Sequence, residues 1–364
     1  MDSGEPGPVA QPDAAKVTMP GTGLDQAGHC HEGTISRMAQ SFISSTLTPA
    51  WLGTRLGEPV NSLEVEPINQ QGGYLADLYR VHYSTRGGEH TLVLKTEAAD
   101  PARRNTAERY QSYWKESLFY RQVAGATSIS VPHCYFNQPP PGFALLLEDL
   151  GPAAGLEPAA GISLDAAMLG VRTLGRLHDT KIDSAGLPGL EAAFRAAANE
   201  LPELCAPFME DSRAGRIIRR YAGNSLDYLP RFTSQPQVVA HLDYRQSNLC
   251  FRQDHLTVFD WGEWCLAPAG LDLAHFLVFS LDPSQRRACE TGLLTTYQQN
   301  SERLYPADAL LASYRLGLLP ALYLPAMMLE RQQQPALAGI MRDRLLTAIS
   351  DHADWFEREL WRAA

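Results

Sequence analysis

The sequence predicts an α+β protein in two lobes: a five-stranded antiparallel sheet with one long helix, then a larger, mainly helical part. Three observations carry this expectation. Residues 63–94 alternate apolar and polar side chains with the two-residue period of strands. After residue 151 the apolar residues recur mostly with the helical period instead. The chain has 364 residues, more than the roughly 250–300 that one core serves, so two lobes are expected.

Taken in order, residues 1–33 are rich in Gly, Pro, Asp and Ala without periodicity and read as a disordered tail. Regular structure is expected from near Ile35, with Met38, Phe42 and Ile43 on one helical face. Thr48 then caps a short helix that has Pro49 as its first residue. Leu63, Val65 and Pro67 mark a first strand. Leu78, Arg80 and His82 set against Tyr79, Val81 and Tyr83 mark a second. Thr91 to Lys95 is a third, joined to the second by a turn at Arg86-Gly87-Gly88. Tyr110, Trp114 and Leu118 recur every four residues and predict the long helix. Val131–Phe136 and Ala144–Leu147 supply strands four and five.

Beyond Gly151, Ser163 caps a helix with Leu164, Ala167, Val171 and Leu174 on one face. Two short strands follow, at Val238–Ala240 and Leu256–Phe259, and the remainder reads as helix. The expected division is therefore a tail over 1–33, an N-terminal lobe over 34–150 and a C-terminal lobe over 151–364. The longest apolar run, Leu316 to Leu329, is interrupted by Pro320 and Pro325 and falls short of the about 20 residues of a span. It reads as a broken, buried helix.

The formal net charge of −10 argues against a nucleic-acid partner and an anionic membrane surface. Six scattered cysteines, with no Cys-x-x-Cys pair, read as reduced thiols. His29-Cys30-His31 has no second ligand pair at zinc spacing, so no zinc site is expected. With no secretory start, the cytoplasm is the expected location, as a monomer or weak homodimer.

The chemistry concentrates in His241-Leu-Asp243-Tyr-Arg-Gln-Ser-Asn248, which follows one short strand, and Asp260-Trp-Gly262, which follows the next. The strand ends are expected to lie side by side and bring Asp243, Asn248 and Asp260 to one point. Phosphoryl transfer needs positioning and charge neutralisation more than covalent help. A carboxylate that takes the proton of an attacking hydroxyl fits Asp243. Hard oxygen ligands for magnesium fit Asn248 and Asp260. Lys95, at the end of an apolar strand, is placed to reach phosphates, and Glu116 on the next helix to pair with it. Alone, Lys95 reads as a lysine snorkelling to solvent and Glu116 as a solvated helix face; their order ahead of Asp243 reverses both readings. Gly72 and Gly73 offer backbone N–H groups to phosphates. Leu145 to Leu150 reads as a hinge whose backbone, around Glu148 and Leu150, meets adenine. Asp272 reads as a helix N-cap, and His241 and His178 as structural braces.

These residues resemble the aminoglycoside phosphotransferase and ecdysteroid-kinase-like superfamily of small-molecule kinases, nearer to the ecdysteroid-kinase-like branch with its bacterial members. The resemblance runs from about residue 47 to 280. It is carried by Leu47–Leu52, Gly73–Arg80, Leu94-Lys95, Glu116–Tyr120, Val131-Pro132, Leu146–Leu150, His241–Asn248, Asp260-Trp261 and Asp272–Ala274. It implies a bilobal protein-kinase-like fold with Asp243 as base and Asn248 and Asp260 as magnesium ligands. Lys95 would hold the phosphates of ATP, or of GTP, and Glu116 would orient Lys95. The acceptor would be a hydroxyl of a small molecule: a natural product, an antibiotic, a steroid-like or an acyl compound. Arg245 is similar to its counterpart in the kinase-like domains fused to acyl-CoA dehydrogenases. Two departures stand out: Leu242 where glycine is usual, and Ser247 where Gly or Asp is commoner.

A catalytically silent chain that only holds nucleotide or ligand is the alternative. A protein kinase is disfavoured, because Arg is missing before Asp243 and only nine residues separate Gly262 from Asp272. Asp183 to Phe232 and everything after Leu281 are expected to shape the acceptor pocket. Tyr314, Tyr323, Met327 and Met328 have a helical spacing commoner in core than in an apolar pocket lining.

Overall fold

The strand segments between residues 62 and 148 form one fully antiparallel five-stranded sheet. The structure, a computed structural model, describes residues 42–68, 75–151, 161–303, 305–331 and 334–361. The tail over 1–33, Ile35, Met38 and the turn with Gly72 and Gly73 lie outside the described residues. The strands are β1 (Ser62–Pro67), β2 (Ala76–Thr85), β3 (Gly88–Glu97), β4 (Cys134–Gln138) and β5 (Ala144–Glu148), in the order β1–β2–β3–β5–β4. Alternation sets their faces: Leu63, Val65, Tyr79, Val81 and Tyr83 are buried and pack with Leu92, Leu94 and Leu146. Thr85 pairs with Gly88, so Arg86-Gly87 is the tight turn expected. Thr48 accepts from the Trp51 amide and caps the helix Pro49–Leu56.

The expected long helix is broken. Pro101–Arg109 is one helix, capped by Asp100, and Ser112–Leu118 is another. Between them Gln111 adopts φ 58°, a left-handed conformation that ends an α-helix. The second piece thereby takes its own direction, which brings Glu116 to Lys95. Five residues of π-helix, Phe119–Val123, extend it.

The second lobe is helical around two small sheets. Ser163 caps Leu164–His178 as expected, and Ala167, Val171 and Leu174 are buried, but Leu164 is 54% exposed. Of the two strands expected here, β6 (Gln237–Ala240) pairs with β9 (Cys265–Pro268), and β8 (His255–Val258) pairs with β7 (Leu249–Arg252). The two expected strands are thus not paired with each other. β7 and β8 form a hairpin that lies between β6 and β9 in the chain, and the loops after β6 and β8 are joined by the His241–Phe259 hydrogen bond. The helices Ala269–Ser280 and Ala307–Gly317 cross closely. A Cβ on Gly270 would come within 2.2 Å of Ser313 backbone, and one on Gly317 within 2.3 Å of the Gly270 carbonyl oxygen. Ala307–Glu330 is the one stretch of the described residues long and apolar enough to cross a membrane. It is mostly buried within the protein, and Pro320–Leu322 forms a 3₁₀ turn inside it.

Candidate active site

The loop after β6 is held from behind by Asp272. This residue lies fourth in the helix Ala269–Ser280, whose N-cap is Pro268, so the expected capping role is corrected. Its fully buried carboxylate accepts from the backbone amides of His241 (2.7 Å) and Leu242 (2.7 Å) instead. His178 Nε2 lies 3.1 Å from the same carboxylate, and its Nδ1 lies 2.8 Å from the Tyr297 hydroxyl. Since the carboxylate can only accept, Nε2 carries the proton and Nδ1 accepts from Tyr297. Burial pushes the Asp272 carboxyl up, but His178 and the His241 amide outweigh it and hold it below the usual range. His241 forms a second brace. Its Nε2 donates to the Phe259 carbonyl (3.0 Å), and its Nδ1 accepts from the Asp243 amide (3.2 Å). Both histidines are braces, as the sequence suggested.

This bracing explains the departure at residue 242. Leu242 has φ 61°, a conformation that costs a side-chain-bearing residue about 1–2 kcal/mol relative to glycine. The two amides captured by Asp272 flank that residue and fix the turn. Asp272→Asn leaves one acceptor for two amides, and the Asn amide faces the His178 donor. The expected loss of stability is about 1–3 kcal/mol, read from the denaturant midpoint. An unchanged midpoint would show that the turn holds itself.

Asp243 points into the cleft with both carboxylate oxygens engaged. Arg245 Nε donates to Oδ1 (2.6 Å) and Arg245 Nη2 to Oδ2 (3.3 Å). Asn248 Nδ2 donates to Oδ2 and to the Asp243 carbonyl, both at 2.8 Å. A carboxylate demands donors, so the Asn248 nitrogen must face Asp243 and its amide oxygen is the atom left for a ligand. Arg245 also contacts Ser247 Oγ. The sequence raised Arg245 only as a likeness. Its pairing two residues from Asp243 is the contact that sequence reasoning missed.

Asp260 sits after β8 with φ 66°, which aspartate tolerates better than most residues. Lys95 Nζ bridges Asp260 Oδ1 and Glu116 Oε2, each at 2.7 Å. Desolvation acts against the Lys95 charge, yet the two carboxylates raise its pKa. Burial pushes Glu116 up to about 7 against the pull of Lys95. Desolvation also pushes the Asp260 carboxyl up, but Lys95, with His241 and Arg245 behind it, holds it below its ordinary value. Below the site, Trp261 is fully buried and stacks on Phe119 with centroids 3.7 Å apart. This packing seats the loop on the end of the helical segment that carries Glu116.

One cavity of about 930 Å³ joins these groups, and Lys95, Glu116, Asp243, Asn248 and Asp260 all line it. Leu147, Glu148, Asp149 and Leu150 line its hinge end with Ile68, Leu78, Val93, Pro132 and Phe259. The Glu148 carboxylate accepts from the His133 amide (3.2 Å), and the Leu150 carbonyl accepts from Arg252 (2.6 Å). Tyr323 and Met327 line the opposite end. Tyr314 is buried with its hydroxyl on Glu290 (2.7 Å), and Met328 is core.

A family model described as the phosphotransferase enzyme family (APH) matches residues 64–307. No curated protein matches the chain. Among solved structures, a choline kinase from Cryptosporidium parvum Iowa II is similar, with TM-score 0.53 and 12% identity over 83% of this chain and 90% of that one. The spectinomycin phosphotransferase APH(9)-Ia, in complex with ADP and spectinomycin, has TM-score 0.50 and 13% identity over 82% and 94%. At these identities the likeness is one of fold.

Proposed function

Because the chain belongs to the phosphotransferase enzyme family, we propose that it transfers the γ-phosphoryl group of ATP to a hydroxyl of a small molecule. The observation that carries this reading is the shared cavity, in which the paired Lys95 and Asp260 and the Arg245-held Asp243 line one space. Asp243 accepts the proton of the acceptor hydroxyl. The acceptor oxygen bonds to phosphorus as the bond to the β–γ bridging oxygen breaks, and ADP leaves with that electron pair. Arg245 and Asn248 keep the Asp243 carboxylate oriented. Lys95 neutralises phosphate charge, and Glu116 and Asp260 hold the ammonium in place. The hinge around Glu148 and Leu150 takes the adenine. Gly72 and Gly73, outside the described residues, are proposed to cover the phosphates.

The donor set suits magnesium. Among the described residues no group of three or more His, Cys, Asp or Glu could form a protein cage for a metal. Magnesium in nucleotide sites takes one or two protein oxygens and completes its shell with phosphates and water. The Asn248 amide oxygen and the Asp260 carboxylate are such a pair. When bound, the ion neutralises charge on the phosphates. A place in the ecdysteroid-kinase-like branch, in the cytoplasm, rests on the sequence alone.

The test is incubation of the purified chain with magnesium and ATP, or GTP, while ADP or GDP formation is followed with and without a library of hydroxyl compounds. Nucleotide turnover that rises with one acceptor, together with a mass gain of one phosphate on it, is expected. Magnesium-dependent nucleotide binding with no turnover under any condition would replace the kinase reading with that of a silent binding module.

A further inference from the structure

The cavity is at the upper end of the about 300–1,000 Å³ that a single ligand occupies, which suits a site for nucleotide and acceptor together. Its two ends differ in chemistry. The charged lining residues among those described are Arg80, Lys95, Glu116, Glu148, Asp149, Asp243, Arg245, Asp260 and Glu263. All but Glu263 have a close ionic partner or a backbone hydrogen bond within the protein. Asp149 pairs with Arg80 (2.8 Å), Glu116 and Asp260 with Lys95, and Asp243 with Arg245. The Glu148 carboxylate accepts a backbone amide. Glu263 accepts from Ser112 Oγ (2.8 Å) and lies 3.9 Å from Lys115 Nζ.

Far from the hinge, the wall comes from the helices Leu190–Ala198 and Leu201–Leu204 on one side and from residues 320–340 on the other. None of the lining residues that these segments contribute is charged. Hydrogen bonds also tie this end to the first lobe. Arg109 Nη2 donates to the Ala196 carbonyl (2.7 Å), the Tyr323 hydroxyl to that of Tyr110 (2.5 Å), and Arg331 to Thr106 Oγ1 (2.8 Å). A polycationic acceptor seated here would lose its hydration with Glu263 as the one incompletely paired carboxylate of the cavity, a single charge against several, which is costly. An apolar body would gain from the same burial.

Beside that wall lies a buried acceptor on the helix Ala269–Ser280. His275, 7% exposed, lines the cavity, and its Nδ1–H donates to the Leu271 carbonyl one helical turn back (3.1 Å). That bond fixes the tautomer and leaves Nε2 as a lone-pair acceptor without a partner among the described residues. Burial lowers the ring's pKa and keeps it neutral, with Asp243 and Arg245 near enough for their charges to act on it.

We propose that the phosphate acceptor is an uncharged, mainly hydrocarbon alcohol seated among Leu190, Phe194, Leu201, Leu324, Met327 and Ile340, and that His275 Nε2 accepts a hydrogen bond from a hydroxyl on it. This rests on the kinase reading above and narrows its substrate class. His275 acts in selection and positioning; the proton transfer stays with Asp243.

The experiment compares kcat/KM of the full chain, with ATP and magnesium, for uncharged polycyclic and macrocyclic alcohols against aminoglycosides and choline. The uncharged alcohols are expected to lead by at least about tenfold, the ratio that one good hydrogen bond or apolar contact supplies. A lead for the cationic acceptors overturns the proposal. So does the absence of transfer to every uncharged alcohol while hydrolysis of ATP by water persists. A chain that neither binds nor hydrolyses ATP instead removes the kinase reading beneath it, so the two failures are told apart. His275→Phe keeps a ring and removes the acceptor atom. The KM for the alcohol should rise about tenfold while kcat falls less. Leu337→Asp, which puts a carboxylate on the same wall, should raise that KM as well, with the thermal midpoint reporting on folding. Unchanged KM values in both folded variants count against the assignment.

Discussion

Asp243→Asn is expected to slow phosphoryl transfer by a factor of about 10²–10⁴, the usual range for removal of a general base. The replacement keeps the shape of the side chain. It retains an oxygen that can accept from Arg245 or Asn248, so the loop has the means to persist. What it loses is the capacity to take a proton and the charge opposite the 5%-exposed Arg245. The two losses separate by measurement. A single-turnover assay reads the transfer step, nucleotide affinity should hold within a few-fold, and the thermal midpoint reports the cost of a less well paired arginine. Turnover within threefold of wild type would mean that another group takes the proton, or that none needs to.

Asp260→Asn attacks the other half of the site. The carboxylate lies 2.7 Å from Lys95 and is the only charged oxygen in the proposed magnesium pair. An amide there keeps an oxygen but surrenders the charge, and Lys95 is left with Glu116 alone. A fall in kcat of about 10²–10³ is expected, the range seen when one preorganised electrostatic contact is removed. The magnesium concentration for half-maximal rate should rise as well. A titration of rate against magnesium at saturating ATP reads both. If the rate fell and the metal requirement stayed the same, Asp260 would be a partner of Lys95 only.

The parts of the fold that repeat locally were legible in the sequence. Alternation over Leu63–Leu94 marked β1 to β3, Arg86-Gly87 marked their hairpin, and Ser163 marked a helix start. Lys95, Asp243, Asn248 and Asp260 were legible because each ends or follows a short apolar strand, and Glu116 because it lies in the helical stretch that follows the Lys95 strand. Features that depend on partners distant in sequence were not. Leu249–Arg252 and Cys265–Pro268 are four-residue strands without alternation, and only the pairing reveals them. Gln111 carries no signal for the left-handed turn that splits the expected long helix. Asp272 looked like a cap because acids often start helices, whereas two of its acceptor bonds go to amides some thirty residues earlier in the chain and a third to the distant His178. Leu190, Phe194 and Ile340 line one cavity only after the helices have packed, so no local spacing foretells it.

The glycine crossing behind the cleft has a reach beyond packing. Gly270 and Gly317 touch at a point that faces neither nucleotide nor acceptor, and the helix they pin carries Asp272 two residues on from Gly270. A methyl group at either glycine would have to push that helix bodily, because its nearest neighbours are backbone atoms that cannot swing aside. The same displacement would tug on the two amides that set the bend at Leu242. The reactive loop is thereby tuned from the rear of the molecule, and substitutions that silence the enzyme need not lie anywhere near what it binds.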